Sequence, residues 1–168
     1  AQSLCKPVLA EGPAGVGKST LGESIAKALG REFGRVPLGG TRDPAEIRGH
    51  SPTYQGAMPG NIVQTLQKLQ VKNPVILLDE IEKMDSGIQG NPADVLLQAL
   101  DEEQNDHFTD HNIGDVDLSE VLFIATANEE DKIPEALKDR MEIVRLPAYD
   151  RAEKIAIGTD KLLPRVMR

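Results

Sequence analysis

Gly12-Pro13-Ala14-Gly15-Val16-Gly17-Lys18-Ser19 is the stretch on which the fold turns. It fits the spacing G-x-x-x-x-G-K-[ST] at every position, and each residue type has a physical reason. The glycines let successive backbone N–H groups turn inward and approach an anion closely, and a following helix presents its positive N-terminus to the same anion. A lysine at Lys18 reaches β- and γ-phosphates, and the Ser19 hydroxyl is a ligand for Mg²⁺. The flanks agree. Pro7 to Ala10 is a short apolar run, and Ser19 to Leu29 places Leu21, Ile25, Ala28 and Leu29 on one helical stripe that Gly30 stops. A glycine-rich turn with a chance lysine needs neither flank.

Working outward, the apolar runs Pro74 to Leu78, Val121 to Ala127 and Glu142 to Leu146 have strand lengths, with a weaker fifth candidate at Phe33 to Leu38. Helical periodicity lies between them. Asn61 to Leu69 carries Ile62, Val63, Leu66 and Leu69 on one face, with Asn61 a candidate cap. Asn91 to Leu100 opens with Pro92, a good first-turn residue. Pro134 opens a short helix through Leu137, and Asp150 to Leu163 reads as a last one. Strand and helix patterns alternate, which predicts a three-layer α/β domain with a central parallel sheet of about five strands and right-handed crossovers.

Composition agrees. Of 168 residues, 39% are hydrophobic and 27% charged, an ordinary globular balance; aromatics are only 3%, so the core must be aliphatic. The net charge of −8 counts against a chain whose main task is gripping a nucleic-acid backbone. Cys5 is the single cysteine, so no internal disulfide forms, which fits a reducing compartment. No apolar run approaches a membrane span, so no membrane partner is expected, and the start has no signal-peptide pattern. The chain lacks an initiator Met and is expected to be a fragment.

Two further strand ends carry polar groups. Val75-Ile76-Leu77-Leu78-Asp79-Glu80 is an apolar strand ending in two acids, and ligands in such folds gather at strand C-termini. Asp79 is placed to hold magnesium, through a bound water, and Glu80 to orient or deprotonate an attacking water. Acids are also common where any buried strand meets solvent. Val121 to Asn128 ends in an amide that can bond a γ-phosphate and a water, or simply form a turn. Arg140 can neutralise charge on a transferring phosphoryl group, or form a surface ion pair with Asp139 or Glu142.

The order phosphate loop, Asp-Glu strand end, Asn strand end, arginine resembles the AAA+ branch of the P-loop NTPases. Intervening stretches are similar to the Lon-type ATP-dependent proteases: Leu38-Gly39-Gly40-Thr41-Arg42-Asp43-Pro44-Ala45-Glu46-Ile47-Arg48-Gly49-His50, Thr53-Tyr54-Gln55-Gly56-Ala57-Met58-Pro59-Gly60, Leu77 to Met84, Phe123 to Asn128 and Leu137 to Glu142. The resemblance runs from about Pro7 to Pro164. It implies that residues 1–168 are the large nucleotide-binding subdomain, with a small helical subdomain and a protease domain lying outside it. It implies Mg²⁺-dependent ATP binding and hydrolysis, with Gly12, Pro13, Ala14, Gly15, Val16, Gly17, Lys18, Ser19 and Thr20 as Walker A, and Asp79 and Glu80 as Walker B. Asn128 would be sensor 1, and Arg140 an arginine finger toward the next subunit of a homo-hexameric ring. Tyr54, Gln55 and Met58 would lie on a pore loop gripping unfolded polypeptide, with Gly56 and Gly60 as hinges. A cytoplasmic protein is expected, or alternatively one of the mitochondrial matrix. No peptidase activity is expected of this stretch, and only weak ATPase activity from it alone.

There are departures. Gln55 stands where the family usually carries an apolar residue, Glu11 precedes the phosphate loop where an uncharged residue is usual, and Ala14 replaces a common proline. Glu11 could repel phosphate. These keep open a folded but inert module, and a P-loop ATPase acting on DNA is the other alternative. His107 and His111 stand four apart beside Asp106 and Asp110, but Phe108 to Asn112 reads as a loop with no third ligand. The run Asp101-Glu102-Glu103 reads as a solvated helix end, and His50 receives no role.

Overall fold

The computed structural model describes residues 6–13, 17–88 and 90–146. The first apolar run forms β1 (Val8–Glu11), and α1 (Lys18–Leu29) follows the glycine-rich loop. Gly30 ends α1 in the left-handed region at φ 68°, with its N–H returned to the carbonyls of Ala26 and Lys27. There follow β2 (Phe33–Pro37), α2 (Ala45–Arg48), α3 (Asn61–Leu69) and β3 (Val75–Asp79). The second half holds α4 (Pro92–Leu100), a hairpin of β4 (Phe108–Asp110) and β5 (Gly114–Val116), then β6 (Leu122–Ala127), α5 (Glu135–Asp139) and β7 (Glu142–Arg145). The helix expected over Asp150 to Leu163 lies outside the described residues.

Five strands form one sheet in the order β2-β3-β6-β1-β7, every neighbouring pair parallel. The weak fifth candidate is a real edge strand, β2. The two-residue period of a strand then sorts each strand between two cores. Val8 and Ala10, Val75 and Leu77, and Leu122 and Ile124 pack with Leu21, Ile25 and Ala26 of α1. Leu9, Ile76, Leu78, Phe123 and Ala125 pack on the other face with residues of α2, α3, α4 and α5, such as Ile47, Ile62, Leu96 and Leu137. This is the three-layer arrangement that aliphatic runs without polar alternation require. Each fully buried Leu or Ile contributes roughly 1.5–3 kcal/mol relative to exposure.

Four local expectations are corrected. Asn61 is not a cap: Gly60 occupies that position in extended conformation, and the buried Asn61 Oδ1 accepts no hydrogen bond. Phe108 to Asp110 is strand rather than loop, because Phe108 is fully buried and Asp110 fastens the hairpin, accepting from the N–H groups of Asn112 and Ile113. Asp101 is buried at the end of α4, although Glu102 and Glu103 beside it are exposed. Gly60 is not a hinge. A side chain there would meet the Ile47 carbonyl oxygen at 1.7 Å, and its N–H donates to buried Asp110 at 2.8 Å. Gly60 is glycine so that two backbones can touch. Gly56, by contrast, has open space around it and is glycine for its backbone angle, φ 73°.

Candidate functional site

β1, β3 and β6 are central in the sheet and end near one level, with Glu11 beside Ala127 and Leu78 beside Ala125. Beyond their C-terminal ends lies a cavity of about 380 Å³. Parity decides what faces it. Asp79 continues the Val75, Leu77 series and Thr126 the Leu122, Ile124 series, so both point to the α1 side of the sheet. The N-terminus of α1 opens into the same space, after Gly17 in the left-handed conformation at φ 76°. Gly17, Lys18, Ser19, Asp79, Glu80 and Asn128 therefore line one cavity, joined by Arg35, Lys83, Thr126 and Ala127.

The polar groups are linked. Lys18 Nζ donates to the carbonyls of Gly12 at 2.7 Å and Pro13 at 3.0 Å, and to Asn128 Oδ1 at 2.8 Å. The lysine thus ties the loop after β1 to the residue after β6. Burial pulls its pKa below the usual lysine value, against the opposing pull of Glu82, Asp79 and Glu11. Asp79 Oδ1 accepts from Thr126 Oγ1 at 2.6 Å, and its Oδ2 accepts from Arg35 Nη2. Burial pushes the Asp79 carboxyl upward. The bonds from Thr126 and Arg35, with the charges of Arg35 and Lys18, outweigh it and hold the pKa below the ordinary carboxylate value. Glu80 sits in the left-handed region at φ 57°, a strained conformation for a residue with a Cβ. Its N–H donates to Thr126 Oγ1 at 3.1 Å, and its carboxylate lies exposed at 3.5 Å from Lys83 Nζ.

The cavity has the donor set of a polyphosphate site. Lys18, Arg35 and Lys83 face it beside the two acids Asp79 and Glu80, so a chain of net charge −8 gathers three cations around one pocket. The Ser19 hydroxyl and the Asp79 carboxylate line it as oxygen donors of the kind a hard divalent cation takes. Glu11 does not line it.

A profile of the ATPase family associated with various cellular activities (AAA) matches residues 8–148. The chain belongs to the AAA family of ATPases. It is 59% identical over 158 residues to the Lon protease of Acinetobacter baumannii, covering 94% of this chain and 19% of that protein. It is 53% identical over 169 residues to Lon protease 1 of Bacillus subtilis, covering 99% of this chain and 22% of that protein. The chain thus spans about a fifth of the length of the curated relatives it matches. Among solved structures, a closed-state cryo-EM reconstruction of Hsp104 with ATPyS and FITC casein superposes with a TM-score of 0.65 at 22% identity, over 84% of this chain and 29% of that one. That likeness is one of fold. The resemblance carried by Leu38 to His50 and its companion stretches stands.

Other residues singled out from this AAA sequence lie elsewhere. Ala14, Gly15 and Val16 are outside the described residues; Gly12, Pro13 and Thr20 flank the cavity in sequence without lining it. Tyr54, Gln55 and Met58 lie on an exposed loop, Tyr54 with 64% of its surface accessible and Met58 with 51%. Tyr54 also stacks on its own domain, its ring 5.0 Å from that of His50, which gives His50 a contact the sequence did not assign. Arg140 is remote from the cavity that holds Lys18. It lines a second one of about 370 Å³ with Lys6, Leu100 and Asp101, and its partner is buried Asp101 at 3.6 Å, not Asp139. His107 and His111 form no metal cluster: among the described residues no three His, Cys, Asp or Glu side chains are grouped to hold an ion.

Sequence reasoning missed Arg35, Thr126 and Lys83. Thr126 was within sight, two residues before Asn128 on a strand already recognised. Arg35 shares the face of Asp79 only once β2 is known to lie beside β3 with Pro37 opposite Asp79.

Proposed function

We propose that this chain is the large nucleotide-binding subdomain of a Lon-type AAA+ machine, residues 1–168, and that it binds and hydrolyses Mg·ATP to drive unfolding and translocation of protein substrates. The observation that carries the reading is the convergence of Lys18, Ser19, Asp79, Glu80 and Asn128, from three separate stretches of chain, on one cavity that Arg35 and Lys83 also line. In this reading the glycine-rich loop and the α1 N-terminus bind the phosphates through backbone N–H groups, and Lys18 exchanges its carbonyl partners for phosphate oxygens. Ser19 and Asp79 hold Mg²⁺, which supplies charge neutralisation at the transferring phosphoryl group. Glu80, exposed beside the cavity, accepts a proton from or orients the attacking water, and Asn128 offers its amide to that water and the γ-phosphate.

Arg140 serves the nucleotide of a neighbouring copy in a homo-hexameric ring, since it lies outside its own cavity with its guanidinium half exposed. Tyr54, Gln55 and Met58 meet the polypeptide; an aromatic offers contact area to almost any side chain. Weak turnover of the chain alone follows from an arginine that acts on another copy, and no peptidase activity belongs to this stretch. The compartment is the cytoplasm. Calorimetric titration of the chain with Mg·ATP tests the reading: binding in the wild type that Lys18→Ala abolishes supports it, and equal binding by both proteins contradicts it.

A further inference from the structure

Arg35 belongs to none of the sequence motifs that point to this cavity, yet it reaches the same carboxylate that the proposed metal needs. β2 and β3 run side by side with Arg35 opposite Leu77 and Pro37 opposite Asp79. Arg35 therefore stands two residues below Asp79 on the neighbouring strand. Its side chain emerges on the α1 face, the face to which Phe33 two residues earlier also points. A long guanidinium stem spans that offset, and Nη2 donates to Asp79 Oδ2. The other carboxylate oxygen accepts from Thr126 Oγ1 at 2.6 Å, so both oxygens are engaged.

The two ends of this ion pair differ. The Asp79 side chain is 12% exposed and fixed at a strand end, whereas that of Arg35 is 56% exposed. The carboxylate cannot turn away to solvent, but the half-exposed guanidinium has room in the cavity it already lines, and a divalent cation taking its place keeps the Asp79 charge paired. A divalent cation held at Asp79 and a guanidinium bonded to it are like charges competing for one acceptor. Phosphates in the same cavity give a displaced guanidinium new bidentate partners.

We propose that Arg35 is a counter-cation that competes with the divalent metal for Asp79 and thereby sets the metal affinity of the site. The inference rests on the reading of Asp79 as the metal-holding acid. It makes Arg35 a positioning and tuning residue, and its signature is a gain of metal binding on its removal, opposite to what loss of a supporting residue does.

The test is direct Mn²⁺ binding to the whole chain, followed by electron paramagnetic resonance, without nucleotide and with ADP. Metal-free nucleotide binding is measured separately in the presence of EDTA. Arg35→Gln is expected to bind Mn²⁺ about tenfold more tightly than the wild type, with Arg35→Lys, a more hydrated and less directional cation, between them. In an Asp79→Asn background the gain vanishes, which separates this site from the scattered acids of the surface. If Arg35→Gln does not fold, as judged by circular dichroism, Arg35→Lys carries the test with a shift in the same direction. Equal or weaker Mn²⁺ binding in the folded variant, with nucleotide binding intact, overturns this inference alone. A wild-type chain that binds no nucleotide with or without Mn²⁺ overturns the reading of the cavity and the inference together.

Discussion

Lys18, Asp79 and Asn128 come from distant stretches of chain and face one cavity, each hydrogen-bonded within the chain, whereas Tyr54, Met58 and Arg140 face outward from separate places. In the first region each polar group finds its partner within the chain: Lys18 on Asn128, Asp79 on Thr126. In the second, the Tyr54 ring stacks on that of His50, and Arg140 pairs with Asp101. On the proposed reading, the contrast separates chemistry the chain can host by itself from roles that need another molecule. Substitutions in the cavity should change nucleotide handling by the isolated chain, while those on the outward residues should leave it unchanged.

The largest expected effect is on turnover. Glu80→Gln keeps the shape of the side chain but removes the base, so hydrolysis should fall by about 10²–10⁴-fold while Mg·ATP affinity stays near wild type. A steady-state phosphate-release assay beside a binding titration reads both. Loss of binding together with turnover would place Glu80 in a structural role instead.

Next comes the anchor of the outward loop. Gly60→Ala forces a methyl into the Ile47 carbonyl, and backbone atoms cannot move aside as a side-chain tip does. Destabilisation of about 3 kcal/mol, at the upper end of overpacking costs, is expected in urea unfolding. Gly56→Ala meets no atom but carries φ 73°, so it should cost less, about 1 kcal/mol. Equal effects at the two glycines would contradict the close backbone contact as the reason for Gly60.

Asp101→Asn probes the ground beneath Arg140. The N–H of Glu103 holds the Asp101 carboxyl below its usual pKa against the upward push of burial, with help from Gln104 and Arg140. A depressed carboxyl contributes stability that is full above its unfolded pKa, roughly 3.9, and is lost as pH falls through the lower folded value. The wild type should therefore exceed Asp101→Asn by about 1–3 kcal/mol at pH 7, and the gap should close below about pH 4. A gap that persists at acid pH would show that shape rather than charge matters there. The smallest effect belongs to Tyr54→Ala, expected to change stability and ATP binding by no more than about 0.5 kcal/mol, because the ring is mostly exposed.

Much of this contrast was legible in the sequence. The phosphate loop, the acid-ended strand and Asn128 were readable because each motif falls where an apolar run stops, and a parallel sheet brings such ends together. The hidden part lay in relations between elements. Arg35 could not be assigned to the site until β2 was known to neighbour β3. Asp101 and Asp110 look like surface acids in sequence, and only the structure shows them buried and bonded to backbone N–H groups. Gly60 reads as a hinge until the Ile47 carbonyl is seen beside it.

The central claim is that the cavity at the end of β1, β3 and β6 takes Mg·ATP. The thermal unfolding midpoint, measured with and without saturating Mg·ATP for the wild type, Lys18→Ala and Tyr54→Ala, tests it most directly. Ligand at 100 times its dissociation constant stabilises by about 2.7 kcal/mol, a shift of roughly 5–10 °C for a domain of this size. The account predicts that shift in the wild type and in Tyr54→Ala and its loss in Lys18→Ala. A cooperatively folded wild type whose midpoint does not move at millimolar Mg·ATP would contradict it.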